Sequence, residues 1–294
     1  MTEQSNRLGI VLMIATTFVF AAQDGISRHL AEAANVFMVV MIRYWFFAAF
    51  VIVVASRHAG GIRAAAATKQ PVLQVFRGLL LAAEICVAVW GFTILGLIES
   101  HAIFALYPLL ITALAGPFLG EKAGWRRWLA IVVGFVGMMI ILDPRRANFT
   151  PYAIIPFVSA LMFALYGILN RYAARQDSTA TSFFWTGTVG AVVLTFLGLP
   201  AWEPMSGQNW LWMAALCVTG ATGHWLLIRC YEVAEASAVQ PFAYFQTVFA
   251  ALAGFLFFGE YLRTNVAIGA AIIVAAGLFA LWREHVRAAA SPRS

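Results

Sequence analysis

Several side chains that could do chemistry lie inside long apolar stretches of this chain. Glu84 is flanked by Ala83 and Ile85, and Arg43 lies within a separate apolar stretch. A charged group at the centre of a bilayer costs at least ~2.5–3.5 kcal/mol on insertion scales, so each one requires a reason. The Glu84 carboxylate can hold a substrate ammonium group, exchange a proton, or form a structural ion pair, for which Arg43 is the expected partner.

Four further ionisable groups share these surroundings. Asp24 and Arg28 are one helical turn apart, so we expect an ion pair between them, either as an outer gate or as a satisfied surface pair. His101 and His224 can each donate to a carboxylate or titrate near neutral pH, or can hydrogen-bond between helices.

Prolines and aromatic residues accompany the charges. Pro108 frees a backbone carbonyl within an apolar stretch and offers a hinge, and Pro241 disturbs the first turns of its stretch. Aromatic side chains far from the stretch ends either line a chamber for flat groups or pack against core and lipid. The predicted chamber set is Trp90, Phe104, Tyr107, Tyr166, Trp185, Trp225 and Tyr244.

Transmembrane helices are the elements that must position these groups. The chain is 62% hydrophobic and 11% charged, whereas soluble domains average about 45–50% and about 25%. A transmembrane helix needs about 20 apolar residues, and such stretches predict an all-α protein of ten spans. The predicted spans are 8–28, 35–56, 72–95, 100–119, 125–142, 151–171, 179–199, 208–230, 238–258 and 264–282.

The chain repeats itself. Ala113-Leu114-Ala115-Gly116 returns at 251–254, and each copy leads into Gly-Glu, at 120–121 and 259–260. Five spans per copy is an odd number, so the second copy crosses the membrane in the opposite direction, which predicts two inverted repeats with a binding site between them. We place the repeats at 1–146 and 147–294. Glu121 and Glu260 are expected to cap or tether the following helix rather than bind a ligand.

The distribution of basic residues predicts the orientation. With the N-terminus inside, only Arg28, Arg145, Arg146 and Arg263 lie on outer segments, which satisfies the positive-inside rule and places both termini in the cytoplasm. The net charge of +6 therefore orients the protein and is not a nucleic-acid surface. Two pairs of glycines predict close contacts between helices, Gly134 with Gly137 and Gly187 with Gly190. In the last span of a repeat, such a contact is either packing within the chain or a dimer face.

These features together resemble the drug/metabolite transporter superfamily, and within it the EamA-type ten-helix exporters. The resemblance covers essentially the whole chain and rests on the paired Ala-Leu-Ala-Gly and Gly-Glu signatures, on Arg43, and on Ser-Ala-Val-Gln-Pro at 237–241. It makes Arg43 a family feature, which favours a structural role for that residue. The abundance of aromatic residues is similar to that of the aromatic amino-acid exporters of this superfamily.

The resemblance implies export of aromatic and other neutral amino acids by alternating access in a bacterial-type inner membrane. The alternative is proton-coupled efflux of lipophilic cations or drugs, with Glu84 alternating between proton and substrate. A passive channel would require rings of charge that the spans lack. An enzyme is not expected, because the sequence has no His-Glu-x-x-His, Gly-x-Ser-x-Gly or phosphate-loop motif.

The expected partners are a small-molecule substrate and the lipid bilayer, with no nucleic acid, no cofactor and no metal, and the expected working form is a monomer. The substrate-binding residues are predicted to be Gln23, Glu84, Trp90, His101, Phe104, Tyr107, Tyr166, Trp185, His224, Trp225, Tyr244 and Gln246. Gating or structural roles are predicted for Asp24, Arg28, Arg43, Pro108 and Pro241.

Overall fold

A computed structural model describes residues 3–57, 60–120, 124–143, 151–234 and 239–290, and this part of the chain is helical with no strand. Two short 3-10 segments, Pro151–Ala153 and Gln240–Tyr244, precede the helices α7 and α10 defined next. The helices are α1 Glu3–Ala33, α2 Val36–Arg57, α3 Gly61–Ala66, α4 Pro71–Phe104, α5 Tyr107–Leu119, α6 Trp125–Leu142, α7 Ile154–Ala173, α8 Thr179–Gly198, α9 Gly207–Val233, α10 Phe245–Phe258 and α11 Thr264–Ala290.

The all-helical membrane class is confirmed. Within the described residues, seven helices are long and apolar enough to cross a membrane, and Tyr107–Leu119 and Trp128–Leu142 are shorter apolar helices. The count of ten crossings and the cytoplasmic position of both termini stay predictions. The seven long segments are Arg7–Ala33, Val36–Arg57, Pro71–Phe104, Pro151–Ala173, Thr179–Gly198, Pro241–Phe258 and Thr264–Arg283.

Gly96 divides α4 into two segments, 71–95 and 97–104. Its φ of 83° and ψ of 173° are accessible to glycine and strained for any other residue. The predicted third and fourth spans therefore join at Gly96. The fourth is itself interrupted after Phe104, and Pro108 lies in the first turn of α5 rather than within a continuous helix. Proline is tolerated in a first turn, where an amide donor has no intrahelical acceptor.

The second repeat contains a corresponding interruption. Pro241 lies in the 3-10 segment Gln240–Tyr244, directly before α10. Phe104-Ala105 and Phe242-Ala243 occupy equivalent places ahead of the two Ala-Leu-Ala-Gly motifs. A broken helix thus precedes the repeated motif in both halves, near the hinge predicted for Pro108 and at the disturbed turns predicted for Pro241.

Helices of the first repeat pack against helices of the second. The main pairs are α1 with α9, α4 with α7, α2 with α8, and α6 with α11. Small residues allow the close approach: a Cβ atom added to Gly137 would lie 2.8 Å from the Gly269 carbonyl oxygen, and one added to Gly190 would lie 2.1 Å from Cε1 of Tyr44. The predicted glycine contacts are packing contacts within one chain.

Candidate functional site

A polar cluster joins α1, α4 and α10 inside the bundle. The Gln246 amide donates to Oδ2 of Asp24 at 3.0 Å. Nε2 of His101 lies 3.2 Å from the same oxygen, close enough for an ionic contact but not aligned as a hydrogen bond. The His101 ring also stacks on Phe92, with ring centroids 5.2 Å apart. The structure therefore brings Asp24, His101 and Gln246 together, three residues that the sequence suggested separately.

The predicted ion pair between Glu84 and Arg43 is wrong. Glu84 is 4% exposed and accepts a hydrogen bond of 2.6 Å from the Ser159 hydroxyl on α7. No hydrogen bond or ion pair joins the Arg43 guanidinium to any residue in the described ranges. The reason lies in the helix packing. Helix α4 packs extensively on α7, and Ser159 of α7 therefore reaches Glu84. The Arg43 side chain faces a cavity between α2, α4 and α9 instead.

The cavity beside Arg43 has a volume of about 20 Å³, roughly the space of one water molecule. Nδ1 of His224 lies 2.9 Å from the Gly220 carbonyl oxygen, which fixes the ring as one wall. Phe20, Phe47 and Phe183 surround His224 with centroid distances of 5.5, 4.9 and 6.2 Å. The lining residues are Arg43, Tyr44, Phe47, Leu81, Ile85, Cys217, Gly220, Ala221 and His224.

A second group of aromatic rings adjoins His101. Phe104 lies 5.3 Å from Tyr107 and 5.4 Å from Phe163, and Phe163 lies 6.3 Å from Tyr166, all between ring centroids. Phe104, Tyr107 and Tyr166 belong to the predicted chamber set, whereas Phe163 and Ser159 were missed. Their spacing could have indicated that they belong with Tyr166, because residues 159, 163 and 166 fall on one face of a helix.

Four predicted chamber aromatics lie elsewhere. Trp90 and Trp225 are 51% and 52% exposed on the outer surfaces of α4 and α9. The Trp185 indole donates to the Ala66 carbonyl at 3.1 Å and so holds α3 against α8. Tyr244 packs tightly against α11, since a Cβ atom added to Gly277 would lie 1.7 Å from its hydroxyl. Depth along a helix cannot reveal which face a side chain occupies, and depth was the basis of that prediction.

The predicted ion pair between Asp24 and Arg28 is also wrong. Arg28 binds Glu260 and, at 2.8 Å, Glu32, and its guanidinium lies 4.1 Å from the Phe258 ring centroid. Asp24 instead faces His101. An i,i+4 spacing permits a pair within one helix, but in a packed bundle the neighbouring helices supply other partners.

Glu260 caps a helix start, though not that of the following helix. Its two carboxylate oxygens accept 2.8 Å hydrogen bonds from the amides of Leu97 and Ile98, directly after the break at Gly96. The amides at a helix N-terminus favour a negative charge. A Cβ atom on Gly96 would lie 2.6 Å from this carboxylate. We call Arg28, Gly96, Leu97, Ile98 and Glu260 the Glu260 cluster; Glu121, its counterpart in the first repeat, lies outside the described residues.

A second carboxylate lies at the opposite end of α4. Asp177 accepts hydrogen bonds from the Thr68 hydroxyl, from the Lys69 amide at 3.0 Å and from the Gln74 amide group at 2.8 Å. Burial raises the pKa of Asp177, but these three hydrogen bonds and the Lys69 charge together lower it below its usual value. We call these four residues the Asp177 cluster. The 25 residues of the α4 segment 71–95 separate it from the Glu260 cluster by roughly 37 Å.

Known proteins resemble this chain over most of its length. It is 28% identical to the S-adenosylmethionine uptake transporter of Rickettsia prowazekii, covering 94% of this chain and 93% of the relative. It is 28% identical to the riboflavin transporter of Vibrio cholerae over 90% of each chain. It is 30% identical to the riboflavin transporter of Rhizobium johnstonii, covering 76% of this chain and 74% of the relative.

A solved crystal structure superimposes on 97% of this chain and on 99% of its own, with a TM-score of 0.61 and 17% identity, so the two share a fold. The sequence profile of the EamA-like transporter family matches residues 7–143 and, a second time, residues 150–282. The chain therefore belongs to the EamA-like transporter family of the drug/metabolite transporter superfamily and contains two EamA repeats.

Proposed function

We propose that this transporter carries a zwitterionic metabolite with a flat ring, and that S-adenosylmethionine is the first candidate. The observation that carries the proposal is the proximity of opposite charges, because Glu84 lies near enough to both Asp24 and Arg43 to interact with their charges. Asp24 and Glu84 provide carboxylates, and Arg43 provides a cation beside the cavity. S-adenosylmethionine bears a carboxylate, an ammonium group and a sulfonium group, so it can use both kinds of partner.

The aromatic rings give the proposal its second support. Phe104, Tyr107 and Phe163 adjoin the His101–Asp24 contact. Flat heterocycles stack on such rings, and a cation held against aromatic faces is stabilised further. An adenine ring would lie among these side chains while its charged tail reached Asp24 and Arg43. The name of the Rickettsia prowazekii relative agrees with this substrate and with inward transport.

Riboflavin is the second candidate, favoured by the names of two relatives and by the same aromatic rings. Its ring system is flat, but the molecule carries no charge that would require Arg43 and Asp24. The predicted amino-acid substrates share the α-amino-acid group with S-adenosylmethionine, and tryptophan also has a flat ring. Lipophilic cations would use the carboxylates alone.

Alternating access between two inverted repeats is part of the proposal. Ten crossings, both termini in the cytoplasm and a division near residue 146 follow from the sequence pattern. In that topology the Glu260 cluster lies at the outer end, where it ties α1, α4 and α10 together. We propose that this cluster closes the outer end in the present conformation and separates when that end opens.

Uptake into proteoliposomes tests the function. Labelled S-adenosylmethionine, riboflavin and tryptophan would be supplied separately to vesicles containing the purified protein or lacking it. We expect saturable uptake of S-adenosylmethionine that Asp24→Asn reduces at least about tenfold, because the neutral side chain no longer offsets a positive substrate. Val72, which is exposed, provides the control variant Val72→Ala. Uptake of riboflavin alone would reject the zwitterion proposal and establish the second candidate.

A further inference from the structure

Arg43 lines the cavity between α2, α4 and α9 and has no direct ion-pair partner in the described part of the chain; Glu84 lies near enough to attract its charge but is hydrogen-bonded by Ser159 instead. In the described part of the chain no carboxylate lies within ion-pair distance of its guanidinium. A guanidinium group in an apolar, membrane-embedded setting is stable only with an anion or several acceptors nearby. The cavity is the side from which such an anion can approach, because Arg43 itself lines it.

Gln23 contributes an unused acceptor next to Gly220, one of the residues that line the cavity. The residue is 4% exposed, and its Oε1 atom has no hydrogen-bond partner among the described residues. Leaving a buried carbonyl oxygen unpaired costs about 1–3 kcal/mol. A ligand donor such as an ammonium group would remove that cost. Gln23 is on α1 of the first repeat and its Oε1 faces Gly220 on α9 of the second, so such a donor would lie between the repeats.

Gly220 on α9 brings these two groups to one point. A Cβ atom added to Gly220 would lie 3.3 Å from Oε1 of Gln23 and 3.9 Å from Nε of Arg43. An acceptor and a cation therefore face a position where the backbone carries no side chain. An α-amino acid carries its ammonium and carboxylate groups on a single carbon atom, and this arrangement is complementary to that pair.

We propose that Arg43 and Gln23 bind the α-amino-acid end of the substrate, with Arg43 holding the carboxylate and Oε1 of Gln23 accepting from the ammonium group. The proposal rests on the proposed function and narrows its substrate class. It also assigns Arg43 a role in substrate specificity instead of the structural role predicted from the sequence. Since the cavity has a volume of only about 20 Å³, α2 and α9 must separate when the substrate binds.

Equilibrium binding to the full-length purified protein tests the subsite with two matched pairs of ligands. Decarboxylated S-adenosylmethionine differs from S-adenosylmethionine only by the carboxylate, and tryptamine differs from tryptophan in the same way. We expect the carboxylate-bearing member of a pair to bind at least about tenfold more tightly, because a site built around a charged donor rejects a ligand that leaves it unpaired. In Arg43→Gln the two members should bind equally, and Arg43→Lys should restore part of the preference.

A second variant tests the subsite without removing a charge, so that a loss of binding cannot be attributed to misfolding caused by the loss of Arg43. In Gly220→Ala the added methyl group contacts Oε1 of Gln23, and we expect S-adenosylmethionine to bind about tenfold more weakly. Gly207→Ala is the matched control on the same helix, because a Cβ atom there meets nothing within 4 Å. Thermal unfolding of both variants would verify that each is folded. Equal binding by the two variants would overturn the subsite.

The outcomes separate the subsite from the proposed function. Equal binding of S-adenosylmethionine and its decarboxylated form by the wild-type protein overturns the subsite and leaves the substrate class standing. A preference for tryptophan over tryptamine that Arg43→Gln abolishes, without binding of either S-adenosylmethionine form, supports the subsite and rejects S-adenosylmethionine as the substrate. A carboxylate preference that persists in Arg43→Gln overturns the subsite, and binding of neither pair overturns both proposals.

Discussion

The Glu260 cluster and the Asp177 cluster solve the same structural problem in different ways. In each, a carboxylate of the second repeat accepts backbone hydrogen bonds from the first repeat, from Leu97 and Ile98 in one case and from Lys69 in the other. Glu260 is balanced by the Arg28 guanidinium, whereas Asp177 is held mainly by a hydroxyl, an amide group and a backbone amide.

The elements that they join differ as well. Glu260 connects α1, α4 and α10, and each of these helices contributes a residue to the polar site around Asp24. Asp177 connects the segment between α3 and α4 to the segment between α7 and α8. Because it shares its helices with the site around Asp24, the Glu260 cluster fits the proposed gate, whereas the Asp177 cluster joins connecting segments, as expected for a brace.

The largest effect is expected from Gly96→Ala. The backbone at Gly96, with φ 83° and ψ 173°, lies in a region essentially restricted to glycine and costs about 1–3 kcal/mol for a residue with a Cβ atom. The new methyl group would also lie 2.6 Å from the Glu260 carboxylate. Uptake should become undetectable. Gly120→Ala is the control, because Gly120 has a φ of 73° but a Cβ atom there meets nothing within 4 Å. Comparable losses in the two variants would show that backbone strain alone matters.

Neutralising the carboxylate of each cluster should distinguish the proposed gate at Glu260 from the proposed brace at Asp177. We expect Glu260→Gln to reduce the initial uptake rate at least about tenfold, because Arg28 loses its ion pair and the helix start loses its anionic cap. Asp177→Asn should change uptake less than about twofold and lower the thermal unfolding temperature instead. If the two variants reduce uptake equally, the distinction between the two clusters fails.

Exchanging the charges of an ion pair allows a sharper comparison between two ion pairs at the same end of the bundle, Arg28 with Glu260 and Arg263 with Glu99. Arg263 pairs with Glu99 in a partly exposed ion pair beside the Glu260 cluster. The double variant Glu99→Arg with Arg263→Glu should retain most of the uptake, because each partner is simply exchanged. Arg28→Glu with Glu260→Arg should not recover, since the amides of Leu97 and Ile98 would face a cation. Recovery of this second double variant, measured as initial uptake rate, would show that the amide hydrogen bonds are dispensable.

The smallest effect concerns pH. The pKa of Asp177 is lower in the folded protein than in the unfolded chain, so its stabilising effect is fully present above the unfolded pKa of about 3.9 and is lost as the pH falls through the folded value. The unfolding temperature of the wild-type protein should therefore fall more steeply below about pH 4 than that of Asp177→Asn. Parallel pH profiles in detergent solution would contradict this prediction.

The helices and the duplication could be predicted from the sequence, because apolar length and repeated motifs are local properties. The hinge at Pro108 and the disturbed turns at Pro241 were predicted for the same reason, whereas the break at Gly96 was not predicted. Partners across the bundle were not predictable in this way. Arg28 and Glu260 are 232 positions apart, and their contact depends on the arrangement of α1, α4 and α10.

The site was predicted in part. Asp24, His101 and Gln246 were each named, yet no pattern in the sequence shows that they meet. Exposed Trp90 and Trp225 were placed in the chamber because a tryptophan deep in a span can face either lipid or protein, and hydropathy is the same in both cases. Ser159 was overlooked because a lone serine in an apolar helix resembles an ordinary small packing residue.

At Gly137 and Gly269, the final helices of the two repeats touch through their backbones. Gly120 of the first repeat corresponds to Gly259 of the second. With the same shift in residue number, Gly137 corresponds to Ala276, and Ala130 corresponds to Gly269. The contact thus maps onto a second pair of small residues, as expected for two identical partners related by a dyad. The present polypeptide therefore contains, within one chain, an interface with the symmetry of a homodimer of single repeats.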